Sequence, residues 1–192
     1  MKIILGSQSP RRRELMAGID LPFEAVTIDT EEAYPQDLKE GAIPEFIARE
    51  KAQAYLKNLH EDELLITADT IVWHKGKMLG KPLSEEDAKA MLRSLSDDTH
   101  QVFTGVCLTY IRDGQVVMDS FVDRTDVTFK ALTDEEINYY VSHYKPLDKA
   151  GAYGVQEWIG YIGVTAMNGS YFNVMGFPIE RVYEFLARTR SK

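Results

Sequence analysis

The chain has 192 residues, 44% of them hydrophobic and 27% charged, and its 22 Lys and Arg against 30 Asp and Glu leave a formal net charge of -8. A chain of this length buries a substantial core without staples, so one domain, or one domain with a lobe, is expected over residues 1–192. The acidic balance argues against a nucleic-acid polymer as partner but leaves room for a small anion in a local basic pocket.

In chain order, Lys2-Ile3-Ile4-Leu5 reads as a short apolar strand, followed by a tight polar loop and a helix with Ser9 as N-cap and Pro10 at its first position. Arg11, Arg12 and Arg13 then fall in the first helical turn. A helix N-terminus carries partial positive charge, so each cation there is unfavourable by roughly 0.3 to 1 kcal/mol. A compensating anion is called for, and phosphate suits free N–H donors and guanidinium forks alike. The other reading has the arginines fanning into solvent or pairing with acidic side chains.

Asp29 to Gly41 is acidic and Pro-containing and reads as a loop. From Pro44 to Leu59 the spacing predicts a helix with Ile47, Lys51, Ala54 and Tyr55 on one face. Lys51 thus falls among apolar positions, either snorkelling to the surface or turned inward toward an anion. Leu64 to Trp73 is an apolar strand with a single carboxylate, Asp69, in its middle. An ionised group there is costly unless paired, hydrogen-bonded or metal-bound. It is either a functional group or a carboxylate capping backbone at a bulge, and its being the sole charge in the run favours the first.

Gly80-Lys81-Pro82 aims a lysine from a turn, a weak signal alone. A helix behind a Ser84 cap carries Ala88, Met91, Leu92 and Leu95, and another behind Thr133-Asp134-Glu135-Glu136 carries Ile137, Tyr140, Val141 and Tyr144. Between them, strands Val102 to Ile111 and Val116 to Lys130 flank an Asp113-Gly114 hairpin turn. Cys107, the only cysteine, sits in a strand interior as a buried inert thiol, and no internal disulfide is possible.

The small-residue run from Asp148 and Lys149 to Gln156 admits two readings. A ligand approaches its backbone closely while Gln156 offers donor and acceptor to a base edge, or the run is a packed turn. Tyr161 to Met167 and Tyr171 to Met175 are expected to pair as a hairpin about Asn168-Gly169. A last helix carries Ile179, Val182, Tyr183 and Leu186. The fold class expected is α/β with a mixed sheet, since hairpins imply antiparallel pairs among intermixed strands and helices. No segment is long and apolar enough to cross a bilayer and no signal-peptide pattern opens the chain, so a cytoplasmic protein with no membrane partner is expected.

Neither a Gly-x-x-x-x-Gly-Lys phosphate loop nor a Gly-x-Gly-x-x-Gly fingerprint is present. The histidines His60, His74, His100 and His143 are scattered without metal-ligand spacing, two of them expected in solvated loops. Carboxylate-centred, cation-assisted phosphate chemistry is what remains.

Six motifs, taken together and in order, resemble the Maf-like nucleoside triphosphate pyrophosphatases. They are Ser7-Gln8-Ser9-Pro10-Arg11-Arg12, Ala68-Asp69-Thr70-Ile71-Val72, Gly80-Lys81-Pro82, Phe103-Thr104-Gly105-Val106, the run from Asp148 to Gln156, and Asn173-Val174-Met175-Gly176-Phe177-Pro178. The Asp-Thr after Ala68 and the Asp148–Gln156 run look like the branch acting on dTTP and UTP. The resemblance implies a long twisted sheet with flanking helices, two lobes around a cleft and a relation to inosine triphosphatases. It also implies hydrolysis of a small-molecule nucleoside triphosphate to monophosphate and pyrophosphate, including modified pyrimidine nucleotides, as nucleotide-pool house-cleaning. A divalent metal, Mg²⁺, and a homodimer come with it.

By the same resemblance Asp69 is the proton acceptor, Arg11, Thr70 and Gln156 select the substrate, and Ser7, Arg12, Glu32, Lys51, Lys81 and Lys149 line a polar cleft. Glu32 and Asp69 are the candidate metal ligands. An acceptor beside a metal and lysines is expected to stay ionised and act as a weak base, so activity should lean alkaline. Two other functions stay open, a nucleotide-binding regulator of cell division with incidental hydrolysis and a 7-methyl-GTP pyrophosphatase. The chain departs from the pattern at Gly6, where alanine is commoner, at Phe177, where leucine is, and at Glu157-Trp158, where glycine usually follows Gln156.

Overall fold

The computed structural model describes residues 1–190. Its strands are β1 (Lys2–Gly6), β2 (Phe23–Val26), β3 (Glu63–His74), β4 (Lys77–Leu79), β5 (Thr99–Arg112), β6 (Gln115–Phe129) and β7 (Val164–Asn168). The helices are α1 (Pro10–Ala17), α2 (Ala42–Tyr55), α3 (Glu85–Leu95), α4 (Asp134–Tyr144), α5 (Trp158–Gly163), α6 (Tyr171–Met175) and α7 (Ile179–Arg190). The strand order is β2-β1-β3-β5-β6-β7, with β4 also paired to β3. β2-β1-β3 run parallel whereas β3-β4 and β6-β7 are antiparallel, so the mixed α/β class expected from the sequence is the observed one.

By its contacts the chain divides into two compact units. The first holds Met1–Asp69, Thr104–Asp123 and the described residues from Gly176 onward, and the second holds Thr70–Phe103 and Arg124–Met175.

In the first unit β3 is buried on both faces, and its two-residue period sorts its side chains. Leu64, Ile66 and Ala68 join one apolar cluster with Ile3 and Leu5 of β1, Met16 of α1, Phe177 just before α7, and Val182 and Leu186 of α7. Leu65 joins another with Ile4, Ala48, Ala52, Leu59 and Cys107. Thr67 shares that second face, and its hydroxyl donates to the Ala48 carbonyl of α2 at 2.7 Å. Cys107 is fully buried and burial pushes its thiol up, in keeping with an inert packing role.

Gly105 explains why one motif keeps a glycine. A Cβ there would lie 2.3 Å from the Glu45 backbone nitrogen and 2.4 Å from the Pro44 carbonyl carbon, so β5 meets the first turn of α2 backbone to backbone. Gly105→Ala is therefore expected to cost at least about 3 kcal/mol, read as a lower denaturant midpoint without a change of slope. A variant with the parental midpoint would show that α2 moves away freely.

In the second unit β3 turns through Lys75-Gly76, both at positive φ, into β4. Ser84 caps α3 by accepting the Asp87 N–H at 3.1 Å, and Thr133 with Glu136 forms the full capping box of α4, as the sequence predicted. His100, Phe129 and Tyr153 make an aromatic cluster with ring centroids 5.0–5.4 Å apart.

Two expectations are corrected. The segment Tyr171–Met175 is helix α6 rather than a strand, the expected strand from Tyr161 begins only at Val164 because Tyr161 to Gly163 end α5, and β7 pairs with β6 instead, with an irregularity at Thr128/Phe129. The cause is tertiary, because buried Asn173 donates its side-chain amide to the Val102 carbonyl and Thr125 hydroxyl at 3.1 Å each, while Ser170 Oγ accepts the Asn173 N–H. Ser9 does occupy the N-cap of α1, but its side chain makes no capping bond there. Ser7 Oγ accepts the Ser9 N–H at 3.2 Å instead, tightening the loop from behind.

Candidate active site

Parallel register assembles the acidic and basic groups of the first unit. Gly6 pairs with Val26 on one side and with Thr67 on the other. The chain leaving β1 toward α1 and the chain leaving β2 toward Glu32 therefore emerge at the carboxyl ends of those strands beside Asp69, which lies two residues past Thr67 within the longer β3. Ligand sites of open α/β sheets characteristically form at such ends.

Asp69 shares its strand face with Thr67, and Lys51 lies one helical turn beyond Ala48, so the Thr67–Ala48 bond sets the spacing of the next pair. Lys51 Nζ lies 2.9 Å from Asp69 Oδ1 and 3.0 Å from Glu32 Oε1. Both the Lys51 and Asp69 side chains are only 12% exposed. The inward reading of Lys51 is the observed one.

Arg12 reaches the same place from α1. Its Nε donates to the Gly176 carbonyl and its Nη1 to the Ala68 carbonyl, both at 2.8 Å, immediately before Asp69. Arg13 instead donates Nε to the Ser7 carbonyl at 3.2 Å. The guanidinium-rich turn and the lone strand acid thus meet, and the arginines differ in what they do.

Burial pushes the Asp69 carboxyl above its ordinary range, opposed by Lys51 and Arg12 and reinforced by Glu32. Burial thus outweighs the two neighbouring cations, and a carboxyl so raised is a stronger base than an exposed aspartate. Burial lowers the Arg12 guanidinium while the Asp69 charge raises it, and an arginine remains cationic throughout.

The donor set admits a metal in one arrangement. Among the described residues no group of three or more His, Cys, Asp or Glu gathers as a metal cage. Glu32 and Asp69 nevertheless converge on one cation, the Lys51 ammonium. Two hard carboxylates completed by phosphate oxygens and water suit a hard divalent cation.

The second unit holds the other predicted residues. Gly151 N–H donates to the Gly80 carbonyl at 3.1 Å, laying the loop from Lys149 to Gln156 beside the turn that carries Lys81. Lys81 is exposed and Thr70 half-buried. Lys149 is buried, its Nζ 2.9 Å from Asp148 and 3.1 Å from Glu157. Gln156 Oε1 is buried with no hydrogen-bond partner among the described residues. A carbonyl left so is costly unless something donates to it. Arg11, half-buried on α1, and Ser7, buried, belong to the first unit.

The histidines take no part in either set. His60 and His143 are exposed, His74 pairs with Asp98 at 2.9 Å, and His100 is buried against Tyr153 Oη at 2.6 Å with its imidazole pushed down to about 3 by burial. Two departures from the family pattern are structural. The space beside Gly6 is filled by Ile28 Cδ1, 2.5 Å from where a Cβ would stand, and Phe177 is wholly inside the core. The sequence marks Glu157 only as a departure from the family pattern and Tyr140 only as an apolar position of α4, whereas the structure has Tyr140 donating its hydroxyl to the Glu157 carboxylate.

The family model described as Maf-like protein matches residues 2–189. A protein of Bacteroides fragilis named dTTP/UTP pyrophosphatase is 57% identical over 96% of this chain and 94% of its own length. Proteins of the same name from Phocaeicola vulgatus and Flavobacterium johnsoniae are 55% and 51% identical, over 97% and 96% of this chain and 95% and 93% of theirs. A solved nucleoside-triphosphatase / dITP/XTP pyrophosphatase from Mycobacterium abscessus matches over 100% of this chain and 97% of that one with 14% identity and a TM-score of 0.44, too distant to bear on function.

Proposed function

The chain belongs to the Maf-like protein family, and on that footing we propose that it hydrolyses dTTP and UTP to the monophosphate and pyrophosphate. The observation that carries this reading is the Asp69 carboxylate, buried within β3 and paired with Lys51 while Arg12 binds the carbonyl of the preceding Ala68. A group so costly to bury is suited to taking a proton from an attacking water. Arg12 and Lys51 supply positive charge for the triphosphate, and the family pattern implies Ser7, Arg11, Thr70, Lys81 and Lys149 as further substrate-contacting residues. Phosphoryl chemistry of this kind depends mainly on positioning and charge neutralisation.

Glu32 and Asp69 are the residues that would hold a divalent ion, Mg²⁺ being the one their oxygens suit. Such an ion supplies Lewis-acid neutralisation of the phosphate oxygens. Lys51 Nζ, within 3.0 Å of both carboxylates, adds its own positive charge beside them for the anionic substrate. For the base, the unpartnered Gln156 Oε1 is suited to accept the N3–H of uracil or thymine. The family's commonly dimeric state and a cytoplasmic setting belong to the same proposal, together with a house-cleaning action on modified pyrimidine nucleotides.

Pyrophosphate release from a panel of dTTP, UTP, CTP, the purine triphosphates and 7-methyl-GTP, with and without Mg²⁺, tests the reading. Release led by UTP and dTTP is expected. Saturable binding without product would instead support a nucleotide-sensing regulator, and release led by 7-methyl-GTP would move the chain to the other branch.

A further inference from the structure

Glu157 stands where the family pattern usually has glycine, and its carboxylate is the centre of a network in the second unit. Tyr140 of α4 donates its hydroxyl to Glu157 Oε2, and the same hydroxyl oxygen accepts the Gly154 N–H at 3.0 Å. Glu157 Oε1 lies 3.1 Å from Lys149 Nζ, with the two side chains 20% and 9% exposed. One carboxylate thus ties the first residue of the loop, the backbone near its end and a helix outside it.

The loop closes tightly on Gly154. A Cβ at that position would stand 3.1 Å from the Glu157 carboxyl carbon, 3.1 Å from Lys149 Cε and 3.3 Å from Gln156 Nε2. The amide nitrogen of Gln156 and the Glu157 carboxylate therefore border the same point, while Gln156 Oε1 has no partner among the described residues. A carboxylate near an amide favours its N–H₂ end and disfavours its oxygen, so the charge of Glu157 selects one of two otherwise similar orientations of the amide.

We propose that Glu157 is a positioning residue for base selection. Through Lys149, Tyr140 and the Gly154 backbone it fixes the loop, and by its charge it keeps Gln156 presenting Oε1 rather than Nε2 to the base. The inference rests on the pyrimidine triphosphatase reading above. Uracil and thymine offer a donor at N3, which Oε1 accepts, whereas cytosine offers an acceptor there and needs the amide turned round. Glu157 thereby raises the preference for UTP over CTP without touching the reacting phosphates.

The test is kcat and KM for UTP and CTP in the full chain, as parent, Glu157→Gln, Glu157→Asp and Tyr140→Phe. Glu157→Gln keeps an acceptor for Tyr140 but loses the charge. The ratio of kcat/KM for UTP to that for CTP should fall about tenfold, through KM for UTP, with kcat within about twofold of the parent. Glu157→Asp should recover part of the ratio, and Tyr140→Phe should lower it about threefold. A merely structural residue would depress both substrates alike, so an unchanged ratio in an active Glu157→Gln overturns the inference. Where that variant does not fold, Tyr140→Phe decides by the same criterion. A parent that releases no pyrophosphate from any triphosphate overturns the functional reading and this inference with it, whereas an active parent with unchanged ratios in the variants overturns this inference alone.

Discussion

Replacing Asp69 by asparagine should lower kcat for UTP by about 10²- to 10⁴-fold while leaving nucleotide affinity within about threefold of the parent, because the side chain keeps its shape while losing its negative charge and with it the capacity to take a proton. The site in which it sits is already satisfied by Lys51 at 2.9 Å, and an amide oxygen still accepts from that ammonium. Turnover by initial rates and affinity by calorimetry separate the two effects. Near-parental turnover would remove Asp69 from the mechanism.

The same residue fixes the acid side of the pH profile. The base works only when ionised, and burial raises its carboxyl, so kcat/KM should fall as pH drops through a value above the ordinary carboxylate range. Lys51 opposes that rise. In Lys51→Met the acid limb should therefore move further toward neutral pH, whatever happens to the maximal rate. A limb that stays in place or moves down would mean that another group sets it.

Removing Arg12 should have the second large effect, and on two quantities at once. Its guanidinium joins α1 to the Ala68 carbonyl of β3 and to the Gly176 carbonyl that precedes α7. In Arg12→Ala both carbonyls lose a charged donor and Asp69 loses a neighbouring cation, a combined cost of about 3 kcal/mol, or roughly 6–12 °C in Tm for a chain of this size. Turnover should fall at least about 100-fold as charge stabilisation is lost. Arg12→Lys restores the charge but not the planar fork, so it should recover only part of either quantity. Parental Tm and turnover in Arg12→Lys would show that the two carbonyls need no fork.

Sequence legibility tracked how local the determining interactions are. The caps of α3 and α4 and the buried carboxylate of β3 follow from patterns within one element or from the cost of one charge, whereas the sequence leaves Lys51 between an inward and a snorkelling position. The parallel pairing of β1 with β2 was not read, since Phe23–Val26 is four residues long with no turn signature of its own. α6 was misread because Tyr171–Met175 has strand-like composition, while its conformation answers to Asn173 bonding Val102, seventy-one residues away. At the site, the sequence singled out Arg12 for its charge but not for its grip on backbone carbonyls, a role set by parallel register. Glu157 was visible only as a departure from a pattern, because its partner Tyr140 read as an ordinary apolar position of α4.

The two-faced burial of β3 also governs which lengths of chain are tolerated. Leu65 and Thr67 turn toward α2 with Asp69, and Leu64, Ile66 and Ala68 toward α1 and α7. Deleting or inserting a single residue between Glu63 and Asp69 would reverse every side chain beyond it and drive the acid into the greasy side of the ribbon. Natural variation in this stretch should consist of swaps and never of gaps. The irregular residues 33–41, which lie past Glu32 and cross no such ladder, are where descendants of this sequence are free to grow or shrink.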